Sequence, residues 1–239
     1  METTDLALGI DGCRGGWLVI SWDGKDWQHQ VVAERSQLVD LLKAACRTFI
    51  DIPIGLGDRE ASRNCDRLLR KILGRSYSSS VFSPPIRAAV YANSYEEACR
   101  INQEKTGKKI SIQSWNIAAK IRQVDEILQQ QPELGDRVLE SHPELLFRQL
   151  NGDRPLTHKK KNDAGRQERL DLLMQKSSSS CKLFTEIRSS YLKKDVANDD
   201  ILDAIILTYC AHQSLLLGLQ SIPEPSDRDA KGLRMAIHY

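Results

Sequence analysis

The chain has 239 residues, 41% of them hydrophobic and 28% charged, which suits one ordinary α/β domain with room for an insertion and leaves two full domains cramped. A net charge of +2 excludes recognition of nucleic acid through a global field, so any such preference rests on local clusters of Lys and Arg. Six widely spaced cysteines (Cys13, Cys46, Cys65, Cys99, Cys181, Cys210), with no C-x-x-C pair and no signal-peptide pattern, argue against a disulfide framework or structural zinc and for a reducing, cytoplasmic location.

No apolar run approaches the roughly 20 residues of a membrane span and no lipidation motif is present, so no membrane contact is expected. These numbers leave the oligomeric state open, a homodimer included.

Leu6 to Ile10 and Trp17 to Trp22 are short apolar runs joined by the turn Gly12-Cys13-Arg14-Gly15-Gly16, too brief for a helix, and are predicted to pair as antiparallel strands. Asp23-Gly24 supplies the next hairpin turn, with Gln28 to Ala33 as the third strand. Ser36 is placed to cap a helix whose apolar residues Leu38, Leu41, Leu42 and Ala45 recur at helical spacing. Thr48 to Ile54 then reads as a buried strand after a crossover helix, parallel to its neighbour and interrupted by one acid, Asp51.

From about 55 to 131 the pattern is mainly helical: Asp58 to Leu73, Tyr95 to Lys105, and Gln113 to Gln131 with an apolar stripe of Ile117, Ile121, Val124 and Leu128. This block is an insertion in a single domain spanning 1–239. Arg137 to Glu140 is predicted as a strand, followed by a helix from Pro143 to near Gly152 and another from Arg166 to Met174. Ser177 to Ser180 reads as a surface loop, Asn198 or Asp199 as the cap of a long helix through Gly218, and GLRMAIHY as a terminal strand.

The acids are the chemical signal. Asp11 ends the first strand and Asp51 interrupts the fourth, both in apolar runs, where an unpaired buried charge costs several kcal/mol. In an open sheet these strands can lie side by side and bring their acids to one edge. Asp200 and Asp203, three apart in NDDILDA, share a helical face that can reach the same place. Gathered carboxylates raise one another's pKa unless a cation neutralises them, and an all-oxygen site suits Mg²⁺ or Mn²⁺. Taken singly, Asp199 and Asp200 also read as acids favoured at a helix N-terminus.

Two basic groups are candidates for binding phosphates. Arg59, Arg63, Arg67 and Arg70 fall along one side of a helix, and Lys159, Lys160 and Lys161 with Arg166 and Arg169 form a second group. The first reads equally as a solvated face paired with Glu60 and Asp66, the second as a charged loop. Aromatics that stack bases are sparse, with Tyr77, Phe82 and Tyr91 nearby and 6% aromatic residues overall. Cys13 has no histidine near it in sequence and reads as a turn residue. His142 and His158 have no partner at ligand spacing.

The blocks GIDGCRGGW, DIPIGL, RNCDRLLRKILG, SSVFSPPIRAAV, QSWNIAAKI, ESHPELLFRQLNG, LTHKKKNDAGRQERLDLL, NDDILDA and GLRM resemble, across nearly the whole chain, a domain-of-unknown-function family of predicted ribonuclease-H-like nucleases in the ribonuclease-H-like superfamily. The resemblance implies an α/β fold, with a ribonuclease-H-like mixed sheet of three antiparallel and then parallel strands, flanking helices and the helical insertion. It implies that Asp11, Asp51, Asp200 and Asp203 bind divalent metal, Asp200-x-x-Asp203-Ala being similar to the closing helix of Holliday-junction resolvases. It adds Glu140, in the E-x-H-P-E block, as a further catalytic candidate, with His142 and Glu144 on the same rim.

The chemistry so implied is hydrolysis of a nucleic-acid phosphodiester, with two ions about 3.5 to 4 Å apart activating water and stabilising the leaving oxygen. Two other classes stand beside it. One is a non-catalytic module that binds a nucleotide or nucleic acid. The other is an actin-like or sugar-kinase-like phosphotransfer protein, suggested by GIDGCRGGW but lacking a second copy of such a domain in a chain this short.

Overall fold

The computed structural model describes residues 5–59 and 63–239. Glu60, the expected local partner of the arginine row, and residues 61–62 of the predicted helix lie outside the described residues. Chain contacts divide the protein into two compact units: one holds the described residues through 51 with 137–219 and 239, the other holds 52–136 with 220–238.

In the first unit, β1 (Ala7–Cys13) is buried almost throughout, as a central strand covered on both faces must be. It pairs antiparallel with β2 (Gly16–Trp22), which pairs antiparallel with β3 (Trp27–Val32). β3 alternates exposed and half-buried residues, the mark of an edge strand with one wet face. The helix α1 (Arg35–Ala44) buries Leu38 and Leu42 and leads into β4 (Arg47–Ile50), parallel to β1. Further on, β5 (Val138–Glu140) adds parallel to β4, so the sheet order is β3-β2-β1-β4-β5. An α/β fold with a mixed five-stranded sheet is therefore what the chain adopts.

Along the chain between β4 and β5 run α2 (Asn64–Tyr77), the short α3 (Arg87–Val90), α4 (Tyr95–Thr106) and α5 (Ile112–Gln130). After β5 come α6 (Pro143–Leu150), α7 (Asp163–Lys176), α8 (Ser180–Ser190), α9 (Asn198–Leu217), and a hairpin of β6 (Ser221–Arg228) and β7 (Arg234–His238).

The helix that organises the sheet is α9, which packs across β1, β2 and β4. Gly9 makes this possible, because a Cβ there would stand 2.2 Å from the Thr208 amide nitrogen and 2.4 Å from the Ala204 carbonyl oxygen. The Thr208 hydroxyl donates to the carbonyls of Ala204 (2.7 Å) and Ile20 (3.2 Å), tying helix to sheet at the same level. Against the expectation of no such run, Asn198–Leu217 is long and apolar enough, with an 18-residue stretch of mean hydropathy 1.2, to meet the composition of a membrane span. Its buried residues Ile201 to Thr208 are instead the core of this unit.

In the second unit, Ile86, Ala89, Ala98, Cys99 and Ile110 form a small core. Arg87 bridges Asp125 (2.6 Å) and Asp229, and the Tyr91 hydroxyl also donates to Asp125 (2.8 Å). None of the six cysteines is in a disulfide.

Several expected boundaries move. β1 runs on to Cys13, so Asp11 lies within the strand, the turn shrinks to Arg14-Gly15, and Cys13 is a buried strand residue. β4 stops at Ile50, and Asp51 follows it. Glu34, not Ser36, is the N-cap of α1, and Ala197, not Asn198 or Asp199, that of α9. The supposed serine loop opens directly into α8, whose Leu183 and Ile187 are buried four residues apart. β6 was missed because Pro223 and Pro225 argue against a strand.

Candidate functional site

The site forms where strand ends meet the first turns of α9. Ile10 is opposite Ile50, and the Asp51 amide donates to the Ile10 carbonyl at 3.0 Å, so Asp51, just past the end of β4, stands level with Asp11 on β1. Asp11 is two residues beyond Gly9 and so faces α9, as Gly9 does. From α9, Asp203 and Asp200 approach the same carboxylates, and both act electrostatically on Asp11. Thus Asp11, Asp51, Asp200 and Asp203 are brought together.

The electrostatics follow from that crowding. Burial holds the Asp11 carboxyl well above the usual carboxylate range, reinforced by Asp203, then Asp51 and Asp200, and opposed by Lys160. Asp51 is pushed up to about 7, mainly by burial and then by Asp203. Asp200 is raised by burial although its carboxylate accepts the Ala197 amide at 2.8 Å, so it caps the helix as well as facing the cluster. Asp11 Oδ1 accepts the Gly12 amide at 2.8 Å.

One cation already stands among these acids. Lys160 Nζ donates to Asp203 Oδ2 at 2.7 Å, and the Asp203 carboxylate raises the lysine well above its ordinary value. Sequence reasoning grouped Lys160 with Lys159 and Lys161 as phosphate contacts. The structure divides them: Lys159 and Lys161 are exposed, whereas Lys160 turns inward. Composition could not separate three adjacent lysines; in the structure Asn162 caps α7 and accepts the Gly165 amide at 2.7 Å, at the end of the loop that carries them.

The other candidates fall differently. Glu140 is opposite Ile50, one residue short of the Asp51 level, which places its side chain on the other face of the sheet. It is buried. Glu144, four residues on, does act on Asp51, and is itself held by the fully buried Arg169 through bonds of 2.7 and 2.8 Å.

The arginine row does not stand as an exposed phosphate-binding row. Arg63 is 3% exposed, paired with Asp66 and donating to the Ile54 carbonyl, while Arg70 is half-buried on the Val81 carbonyl. Arg59 and Arg67 are exposed, and Arg166, half-buried, pairs with Asp163. Of the aromatics near that helix, Tyr77 is buried and Tyr91 is committed to Asp125, which leaves Phe82 at 37% exposure. One aromatic pair was not anticipated: Trp22 and Trp27 stack at 4.6 Å across the β2–β3 hairpin.

An all-oxygen donor set of this kind fits a hard divalent cation, and the burial and mutual repulsion that raise Asp11 and Asp51 are what such an ion offsets. The side chains do not form a closed ligand shell: among the described residues, no group of three or more His, Cys, Asp or Glu is set to hold a metal. A cavity of about 460 Å³ lies along α7 between Thr157 and Gln175 and contains none of these acids.

Fold and site together define an α/β protein with a mixed sheet whose central strand ends carry a carboxylate cluster closed by a helix. The chain belongs to the family described as protein of unknown function (DUF429), whose model matches residues 9–228. Neither the curated proteins nor the solved structures gave a match.

Proposed function

We propose that the protein is a divalent-metal-dependent nuclease of ribonuclease-H-like architecture. The observation that carries this reading is the convergence of Asp11 on β1, Asp51 just past the end of β4, and Asp203 on α9 at a single level of the sheet. The strand order β3-β2-β1-β4-β5, with the first three strands antiparallel and the last two parallel to β1, supports it.

Asp11, Asp51 and Asp203 are the residues that would hold Mg²⁺ or Mn²⁺, with Asp200 at the rim. A bound divalent ion supplies Lewis acidity toward a phosphodiester and makes water a better nucleophile near neutral pH. The chain's own contribution is positional. Gly9 brings α9 close enough for Asp203 to meet Asp11, and the parallel pairing of β1 with β4 sets Asp11 level with Asp51. Lys160 offsets part of the negative charge that would otherwise repel a phosphate.

The test is cleavage of single strands, duplexes, hybrids and four-way junctions in Mn²⁺, comparing wild type with Asp11→Asn. The reading requires cutting of at least one substrate by the wild type and a loss of at least about a hundredfold in the variant. Absence of any cut that depends on Asp11 returns the protein to a binding module. The Lys160–Asp203 ion pair favours that second reading, because it partly neutralises the cluster without metal.

A further inference from the structure

The loop that delivers Lys160 is held from several sides. Glu168, on the second turn of α7, accepts the backbone amides of Thr157 (2.7 Å) and His158 (2.9 Å), one on each carboxylate oxygen. Asn162, the N-cap of α7, accepts the Gly165 amide at 2.7 Å. Gly165 lies so close beneath the loop that a Cβ there would be 2.1 Å from the Lys159 carbonyl oxygen. Arg169, anchored on Glu144, adds a bond to the His158 carbonyl at 3.2 Å.

Two consecutive amides bound to one carboxylate fix the orientation of both peptide planes, and with them the direction in which the chain leaves toward Lys160. Without that clamp, the long and flexible lysine side chain is no longer aimed at Asp203.

We propose that Glu168 is a positioning residue for the carboxylate site: its clamp on Thr157 and His158 shapes the 157–162 loop so that the Lys160 ammonium stands on Asp203 as a resident cation. The inference deepens the nuclease reading and rests on it only for the meaning of the site, since the clamp and the ion pair exist whatever the site does. A resident ammonium and an incoming divalent ion draw on the same carboxylate charge, so loosening the clamp strengthens the binding of the ion.

The test uses the full chain and four variants: Glu168→Gln, which sets an amide N–H₂ against one of the two backbone donors; Lys160→Met; Lys160→Arg; and the double variant Glu168→Gln/Lys160→Met. The first readout is the ¹⁵N signal of the Lys160 ammonium, which is visible while the group is held in an ion pair. It should be present in wild type and broadened beyond detection in Glu168→Gln. The second is Mn²⁺ affinity by calorimetry. We expect it to tighten about tenfold in Lys160→Met and about threefold in Glu168→Gln, to stay near wild type in Lys160→Arg, and to be no tighter in the double variant than in Lys160→Met, because both changes act through one charge.

A Glu168→Gln protein with a lower melting temperature but an unchanged ammonium signal overturns the proposal, as does an additive double variant. If no variant binds Mn²⁺, the metal reading fails, and the ammonium signal alone decides the role of Glu168.

Discussion

At the scale of single residues, Asp51 is the most telling. A carboxyl raised to about 7 binds a proton in the folded protein through a range, from about 4 to about 7, where the unfolded chain has already lost it. The folded state then holds the more protons, so its stability falls as pH rises through that window, the reverse of a salt-bridged carboxylate. In chelator, the urea midpoint should be lower at about pH 8 than at about pH 5, and Asp51→Asn should reduce the difference, leaving the part that belongs to Asp11. A midpoint that rises over the same interval contradicts the crowding described here. Asp11 and Asp51 were readable from sequence because each breaks an apolar run. Lys160 was not, since its neighbours Lys159 and Lys161 have the same chemistry and only the fold sends one of the three inward.

At the scale of elements, the contact between β1 and α9 decides whether the acids meet. Gly9→Ala forces a methyl group against the Thr208 nitrogen and the Ala204 oxygen, both backbone atoms in a buried helix that cannot step aside cheaply. The expected cost is about 3 kcal/mol or more, at the upper end of overpacking, read as a shift of the urea unfolding curve. Mn²⁺ binding should weaken with it, because Asp203 moves with the helix; an unchanged unfolding curve would mean that β1 and α9 do not approach as closely as described.

Most helices and all five strands of the sheet could be located from periodicity, but their ends could not. The limit is physical: Asp51 continues the sequence pattern of β4 while the ladder ends at Ile50, and Arg63 has the spacing of a solvated stripe while its guanidinium is buried on Asp66. α8 and β6 escaped notice because Ser177–Ser180 and the prolines at 223 and 225 speak locally for loop, and tertiary packing overrode them.

At the scale of the whole molecule, each of the two units has its own core, and the carboxylate cluster with Lys160 belongs wholly to the unit built on the five-stranded sheet. The second unit draws its residues from two distant stretches, 52–136 and 220–238, a grouping the order of residues along the chain does not announce. Membership of the DUF429 family covers 9–228 and so takes in Asp11, Asp51, Asp200, Asp203 and Lys160 together. The most direct test of the central claim, that these carboxylates form one cation site, is calorimetric titration of Mn²⁺ into wild type and Asp11→Asn at the same pH. The account predicts saturable binding in the wild type and at least about a tenfold loss of affinity in the variant. Equal affinity in the two proteins, or no binding to either, would contradict it.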